Sequence, residues 1–506
     1  MKKYFILSII CLLGLSSCND WLDILPDNEQ VTEMYWQSKE DVEQVVAAGY
    51  YYMRQTTETL LQWGELRGGS LIAANVPSDK MDLEKLQTFQ LLATANVCKW
   101  DKFYQVINMA NSVLDYAPTV QTIDATYTVE SMRSHQTEAY FMRALMYFYL
   151  VRNFKEVPLI TSAYVNDSTP YNIPKSSEEE LIAQIKSDIM TALQSGAAKE
   201  MFNSTTWQGV TKGRATRWAL YALMADVCLW SEDYDNCILY VNELLNATSP
   251  YRPAFVADGS AWFEMFEAGN SNESIFELNW DSSTFSQTAN SPSSLFTNSS
   301  TTTYQFSTSM TSRLQEQDDL ASYYGSTNYR SLQYVIPATG YRAIPWKYIG
   351  TTEGTTRLTS DANLIIYRMA DVMLMKAEAL IWRGESGWQE ALDIVNLIRS
   401  RVNLPEYALN LSEQTEYSML QIVLEERDME LAAEFKRWYD LVRFGKNKEY
   451  KYKDQFILTV LANGSSNLSW IRSVLYNNYA WYLPIHESEI NSNDALEQNP
   501  YYATTN

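Results

Sequence analysis

Ala225-Asp226-Val227-Cys228-Leu229-Trp230 returns later in the chain as Ala377-Glu378-Ala379-Leu380-Ile381-Trp382. A polar turn follows each copy. A second stretch with helical apolar spacing then carries Cys237 with Val241-Asn242, or Ala391 with Val395-Asn396. Small residues at Ala222, Ala225, Ala377 and Ala379 let two antiparallel helices approach closely. A hairpin of this kind cannot bury its apolar face alone and needs a neighbouring hairpin to cover it.

Outward from this repeat, the segments 100–117, 138–153 with 177–195, 214–246 and 368–402 supply about four such units. The spacing therefore predicts a mainly α fold, a tetratricopeptide-like helical-hairpin scaffold. Ser38 with Asp41 reads as the start of a helix carrying Val42, Val45, Val46 and Gly49 on one face, and Ser177 to Glu180 reads as a capping box. Glu138 to Arg152 is apolar nearly all round, the mark of a buried helix that ends near Val157-Pro158. Gly64, Gly68, Gly69 and Pro77 make 62–80 a long loop. Asp281 to Ser312 is rich in Ser, Thr and Asn and lacks helical period. Tyr334 to Ile336 and Trp346 to Ile349 read as short strands. The expected organisation is a helical scaffold with a loop-rich, partly β insert, and such inserts usually carry function.

The chain has 506 residues, 39 Lys plus Arg against 61 Asp plus Glu, and a net charge of −22, which disfavours a nucleic-acid partner. At the start, Lys2 and Lys3 precede an apolar run, Tyr4 to Leu15, too short to span a bilayer, and then Leu15-Ser16-Ser17-Cys18. This pattern looks like a bacterial lipobox: residues 1–17 are expected to be a signal peptide, and Cys18 the lipidated residue of a membrane-anchored protein. Beyond Cys18 only Cys98, Cys228 and Cys237 remain, an odd number at irregular spacing. That is no disulfide framework; one bridge between Cys228 and Cys237 is conceivable, and three small buried thiols is the plainer reading.

Catalytic signatures are absent: no H-E-x-x-H, C-x-x-C, G-x-S-x-G, phosphate loop or dinucleotide fingerprint. No metal site and no cofactor is expected. Of the two histidines, His135 reads as a capping or surface residue and His486 as a loop residue near Glu487 and Glu489. Glu426, Glu430 and Glu434 share one helical face beside Arg427, Arg437 and Arg443, which reads as an ion-pair network because arginines would spoil a general acid. A carboxylate pair for glycoside hydrolysis would have to come from Glu65, Asp79, Asp281 and Glu316. Aromatic residues make up 13% of the chain. Those outside the helical segments, Trp63, Trp280, Tyr304, Tyr323, Tyr324 and Trp346, are the candidate stacking platforms for a sugar, with Glu65, Arg67 and Asn75 as polar partners. A loop Trp is as often a packing anchor.

These segments together resemble the SusD/RagB nutrient-binding lipoproteins of Bacteroidetes-type outer membranes. The resemblance lies in Cys18 to Asp23 and Trp63-Gly64-Glu65-Leu66-Arg67. It continues through Glu138 to Ala144 with Val157-Pro158-Leu159, Gly213-Arg214-Ala215-Thr216 and Arg368 to Ala379. Glu426 to Arg443 and Tyr482-Leu483-Pro484-Ile485 to Asn499-Pro500 complete it. It implies four tetratricopeptide-like units split into an N-terminal part, 18–265, and a C-terminal part, 266–506, that holds the insert and the last unit. It implies capture of an oligosaccharide or polysaccharide at the cell surface, delivery to a SusC-like TonB-dependent transporter, an outer-membrane lipid anchor, and no catalysis. The alternatives are a lipid-anchored glycosidase and a peptide- or protein-binding surface module. Four positions depart from the family: Lys155 and Phe435 stand where it often has Gly, and Gly68-Gly69 where it often has Ser-Asp.

Overall fold

Ser38 opens the first helix as expected: its side chain accepts from the Asp41 backbone while Asp41 bonds back to the Ser38 backbone. The structure, a computed structural model, describes residues 35–164, 172–203, 210–286, 288–296, 302–333, 335–336, 340–341, 343–462 and 467–503. The signal-like segment, Cys18 and Tyr334 lie outside them. The helix α1 (Lys39–Gln55) buries Val42, Val45, Val46, Gly49 and Met53. Next come α2 (Thr57–Glu65), strand β1 (Leu71–Ala73), α3 (Asp101–Ile123), α4 (Val129–Phe154) and α5 (Glu178–Gln194). The chain continues through α6 (Arg217–Trp230), α7 (Tyr234–Leu245), β2 (Ser274–Leu278), β3 (Tyr304–Phe306), α8 (Thr308–Tyr323) and β4 (Leu364–Arg368). It closes with α9 (Met369–Arg383), α10 (Trp388–Arg401), α11 (Glu416–Glu430), α12 (Arg437–Tyr450), α13 (Lys453–Ala462) and α14 (Leu468–Leu475).

Four helix pairs stack in series: α1 with α3, α4 with α5, α6 with α7, and α9 with α10. Neighbouring pairs meet through α3 on α4, α5 on α6 and α7 on α9. Ala222, Ala225, Ala377 and Ala379 are fully buried, as close helix packing needs. At the α7–α9 contact the Cys237 thiol lies 3.9 Å from the Met375 carbonyl. Cys98, Cys228 and Cys237 are all buried free thiols, so no bridge joins Cys228 to Cys237.

Three expectations about secondary structure change. The 62–80 stretch is not one loop: α2 runs on to Glu65, and β1 pairs antiparallel with β3, Leu71 opposite Phe306 and Ala73 opposite Tyr304. Gly64 sits inside α2 because a Cβ there would lie 2.0 Å from the Phe435 carbonyl oxygen, so it serves close approach and no turn. Trp346–Ile349 is a single helical turn after Pro345, a short apolar run that periodicity alone cannot assign. The insert also holds a full helix, α8, started by the Ser307 hydroxyl and buried through Met310, Leu314, Gln317 and Ala321. The expected strand at Val335–Ile336 is present, paired with Gly340–Tyr341.

The expected row of three carboxylates on one helix is cut short: α11 ends at Glu430 and Glu434 lies in the turn beyond it, but all three carboxylates are structural. Arg368 at the end of β4 bonds Glu434 at 2.9 Å and Glu430 at 2.7 Å, and reaches Glu273 at 3.0 Å, with every side chain fully enclosed. Arg330 and Arg401 also pair with Glu430, Arg330 with Glu426, and Lys347 with Glu434 at 2.8 Å. Against the opposing effect of burial, the nearby arginines hold the Glu430 carboxyl well below the usual range. Alongside, Arg427 bridges Asp371 and Asp440, and Arg443 bridges Glu378 and Asp440. His135 is neither cap nor surface residue: it is buried within α4, its Nδ1 2.9 Å from the Tyr127 hydroxyl, and burial lowers its pKa.

Two departures from the family pattern carry backbone strain. Lys155 (φ 69°, ψ −51°) ends α4 in a γ-turn, with the Glu156 N–H donating to the Phe154 carbonyl at 2.8 Å. Phe435 has φ 63° in the turn after α11. Both conformations favour glycine.

Candidate functional site

Six of the nine residues singled out from sequence are anchors. Trp63 is fully enclosed, stacks on Phe103 at 4.5 Å between centroids, and donates its indole N–H to the Val97 carbonyl. Trp280 donates to the Ala289 carbonyl, and Trp346 lies under Gly350. Arg67 is buried over the Trp438 ring, bonded to the Trp481 carbonyl and to Asn153, and burial draws its pKa down to about 10. Glu65 is buried and accepts the Lys436 N–H at 3.1 Å. Tyr304 is buried with its hydroxyl donating to Glu58. These rings and charges tie neighbouring segments to the scaffold, Trp63 and Glu65 from α2 and Tyr304 from β3; a ring with both faces packed has none to offer a ligand.

Asn75, Tyr323 and Tyr324 remain at the surface. Tyr323 is 83% exposed, paired edge-on with Tyr324 at the end of α8. The structure separates them from Asn75, which lies beside the start of β3 with its amide donating to the Thr302 carbonyl; α8, about 24 Å long, runs on from the other end of that strand.

The polar groups that do converge lie along the junction of α1 and α2. Arg54, Gln55, Glu58 and Gln62 follow at helical spacing and face the insert. Arg54 donates to the Asn279 carbonyl at 3.1 Å and lies over the Trp280 ring; the Asn290 amide bonds Gln55. Glu58 receives the Tyr304 hydroxyl at 2.9 Å and Lys80 at 2.6 Å, and Gln62 donates to the same hydroxyl at 3.0 Å. Tyr51, half exposed beside Arg54, gives this seam an open aromatic ring, and Asn75 stands beside the strand end. Sequence reading missed Tyr51, Arg54, Gln55, Glu58, Gln62 and Asn290. The signal for Arg54 to Gln62, polar residues at i, i+3 and i+4, acquires meaning only once β1 and β3 pair; Tyr51 and Asn290 carry no local signal.

The seam is mixed in charge and suited to hydrogen-bonding a polyhydroxylated ligand. The four carboxylates considered for hydrolysis sit on separate elements: Glu65 buried at the end of α2, Asp79 exposed on a short 3₁₀ turn, Asp281 bonded to Ser283, and Glu316 exposed on α8. Burial, with Asp428 adding to it, pushes Glu65 up to about 8. Among the described residues no cluster of three His, Cys, Asp or Glu could hold a metal ion, and no helix is long and apolar enough to cross a membrane.

A sequence profile described as "SusD family" matches residues 255–502, and one described as "Starch-binding associating with outer membrane" matches residues 20–229. Among curated relatives, SusD-like protein P38 of Formosa agariphila is 25% identical, over 89% of this chain and 93% of that one. The solved structure of a laminarin-binding SusD-like protein superposes with a TM-score of 0.67 at 21% identity, over 92% of this chain and 99% of that one. Surface glycan-binding protein A from Bacteroides uniformis gives a TM-score of 0.71 at 19% identity, over 92% and 100%. The two profiles together cover nearly the whole chain, and the chain belongs to the SusD family.

Proposed function

We propose that this chain is a surface lipoprotein, anchored through Cys18 in the outer membrane, that captures glycan oligomers and delivers them to a SusC-like TonB-dependent transporter without cleaving them. The observation that carries this reading is family membership over both halves of the chain, the N-terminal profile being one of starch-binding proteins associated with the outer membrane. Fold neighbours named as a laminarin-binding and a glycan-binding protein support the ligand class. The ligand face is the α1–α2 seam: Tyr51 offers a ring to a sugar face, while Gln55, Gln62, Glu58 and Asn75 take its hydroxyls. Neutralised charges and scattered carboxylates suit retention better than hydrolysis.

Calorimetric titration of the mature chain with laminari- and malto-oligosaccharides and with peptides, followed by product analysis, tests this. Saturable sugar binding with intact sugar recovered is expected. New reducing ends that vanish with a single Asp or Glu substitution would replace this reading with a glycosidase, and binding of peptides alone with a peptide receptor.

A further inference from the structure

Away from the seam, α8, α11, α12 and α13 frame an open groove of about 430 Å³. That is within the size range of small-molecule sites, about 300–1,000 Å³. Its apolar surface comes from Leu424, Leu458 and the Tyr417 ring. Tyr417 is held in place by Phe444 at 6.3 Å and Tyr452 at 5.6 Å, and Leu458 is 57% exposed.

The polar wall is unspent. No hydrogen bond or ion pair within the described residues engages the side chains of Ser309, Gln421, Glu425 or Gln455, all of which line the groove. The Gln421 Nε2 is buried and has no partner, an uncommon state for an amide and one that a ligand oxygen would relieve. The two arginines in the wall are committed through their Nη groups, although the Nε of each is buried without a partner among the described residues. Arg313 and Arg437 both pair with the buried Asp428, at 2.7 and 3.3 Å. With Glu425 counted, two positive groups face two negative ones, so the groove offers no net charge to an anion or a cation. Two amides that each donate and accept, a hydroxyl, a carboxylate and one aromatic ring are the complement of a neutral polyol.

We propose that this groove is a second glycan subsite, taking a short neutral oligosaccharide with one sugar face on Tyr417 and its hydroxyls on Gln421, Gln455 and Glu425. The proposal rests on the glycan-binding reading for its ligand class, but on none of the seam residues. Ser70, whose hydroxyl bonds Asp428, is five residues from Asn75 across β1, at most about 18 Å. One glycan chain long enough to reach both places gains from the linked second contact.

The test is titration of the mature chain and three variants, Tyr417→Ala, Gln421→Ala and Asn75→Ala, with laminari- and malto-oligosaccharides of increasing length, with melting curves to confirm folding. Tyr417→Ala and Gln421→Ala are each expected to weaken binding of the longer sugars by about tenfold, or to remove one of two binding events. Asn75→Ala is expected to leave the groove event in place. Wild-type affinity and stoichiometry in both groove variants would overturn the subsite while leaving the seam reading intact. Failure of the unaltered chain to bind any member of the panel would overturn both.

Discussion

Glu65→Gln should stabilise this protein in a pH-dependent way. Glu65 is buried at the end of α2, and its acceptor role toward the Lys436 N–H is one that a Gln oxygen can also fill. Burial first, and the ionised Asp428 second, raise its carboxyl from an ordinary 4.5 to about 8. Asp428 stays ionised because Arg437 and Arg313 hold it down. Between those two values the folded chain keeps a proton that the unfolded chain has released. Stability therefore falls as pH rises, by about 1.4 kcal/mol per pH unit, and levels off above about pH 8. The full span, about 3.5 units, sets a ceiling near 5 kcal/mol, of which roughly 2–4 kcal/mol is expected because water and backbone dipoles relax around the charge. Gln carries no charge and removes this loss. Denaturant unfolding near pH 5 should find the variant and the parent within about 1 kcal/mol; near pH 9 the variant should be more stable by roughly 2–4 kcal/mol. Parallel stability profiles across that range would refute the buried, proton-retaining Glu65.

Trp63→Ala should cost about 3–5 kcal/mol in unfolding free energy as a core truncation, whereas Tyr323→Ala and Tyr324→Ala should stay within about 0.5 kcal/mol of the parent. Arg368→Met strips the shared cation from Glu273, Glu430 and Glu434; a loss of about 3–5 kcal/mol in chemical denaturation is expected, and a neutral result would mean that Arg330, Arg401 and Lys347 suffice. Lys155→Gly relieves the γ-turn after α4 and should raise stability by about 0.5–1 kcal/mol, measured as a shift in the denaturation midpoint.

What the sequence exposed was periodicity. The paired motifs at Ala225 and Ala377, the capping residues Ser38 and Ser177, and the buried run from Glu138 all follow from helical spacing, and the helices form where expected. The acidic spacing of Glu426, Glu430 and Glu434 announced an ion-pair layer, but the helix stops at Glu430, and the partners are Arg330, Lys347 and Arg368 from distant segments, whereas the neighbouring Arg427, Arg437 and Arg443 pair with other carboxylates. The ligand face was hidden for the same reason. Trp63, Trp280 and Trp346 look like loop aromatics, yet Trp63 lies in α2 and stacks on Phe103, Trp280 is tied to the Ala289 carbonyl, and Trp346 packs against Gly350. Tyr51 looked like one more helical residue, and only the tertiary position of Asn279 to Asn290 places it on a polar seam. Short apolar runs such as Trp346 to Ile349 suit a strand and a helical turn equally, and Pro345 with the packing around it decides for the turn.

The most direct test of glycan capture at the seam is diffraction from the mature chain crystallised with laminari- and malto-oligosaccharides. The account predicts intact sugar against Tyr51, with hydroxyls on Gln55, Gln62 or Asn75 and Glu58 still bonded to the Tyr304 hydroxyl. Sugar seated between the stacked hairpins with the seam empty, or a cleaved product beside a carboxylate, would contradict it.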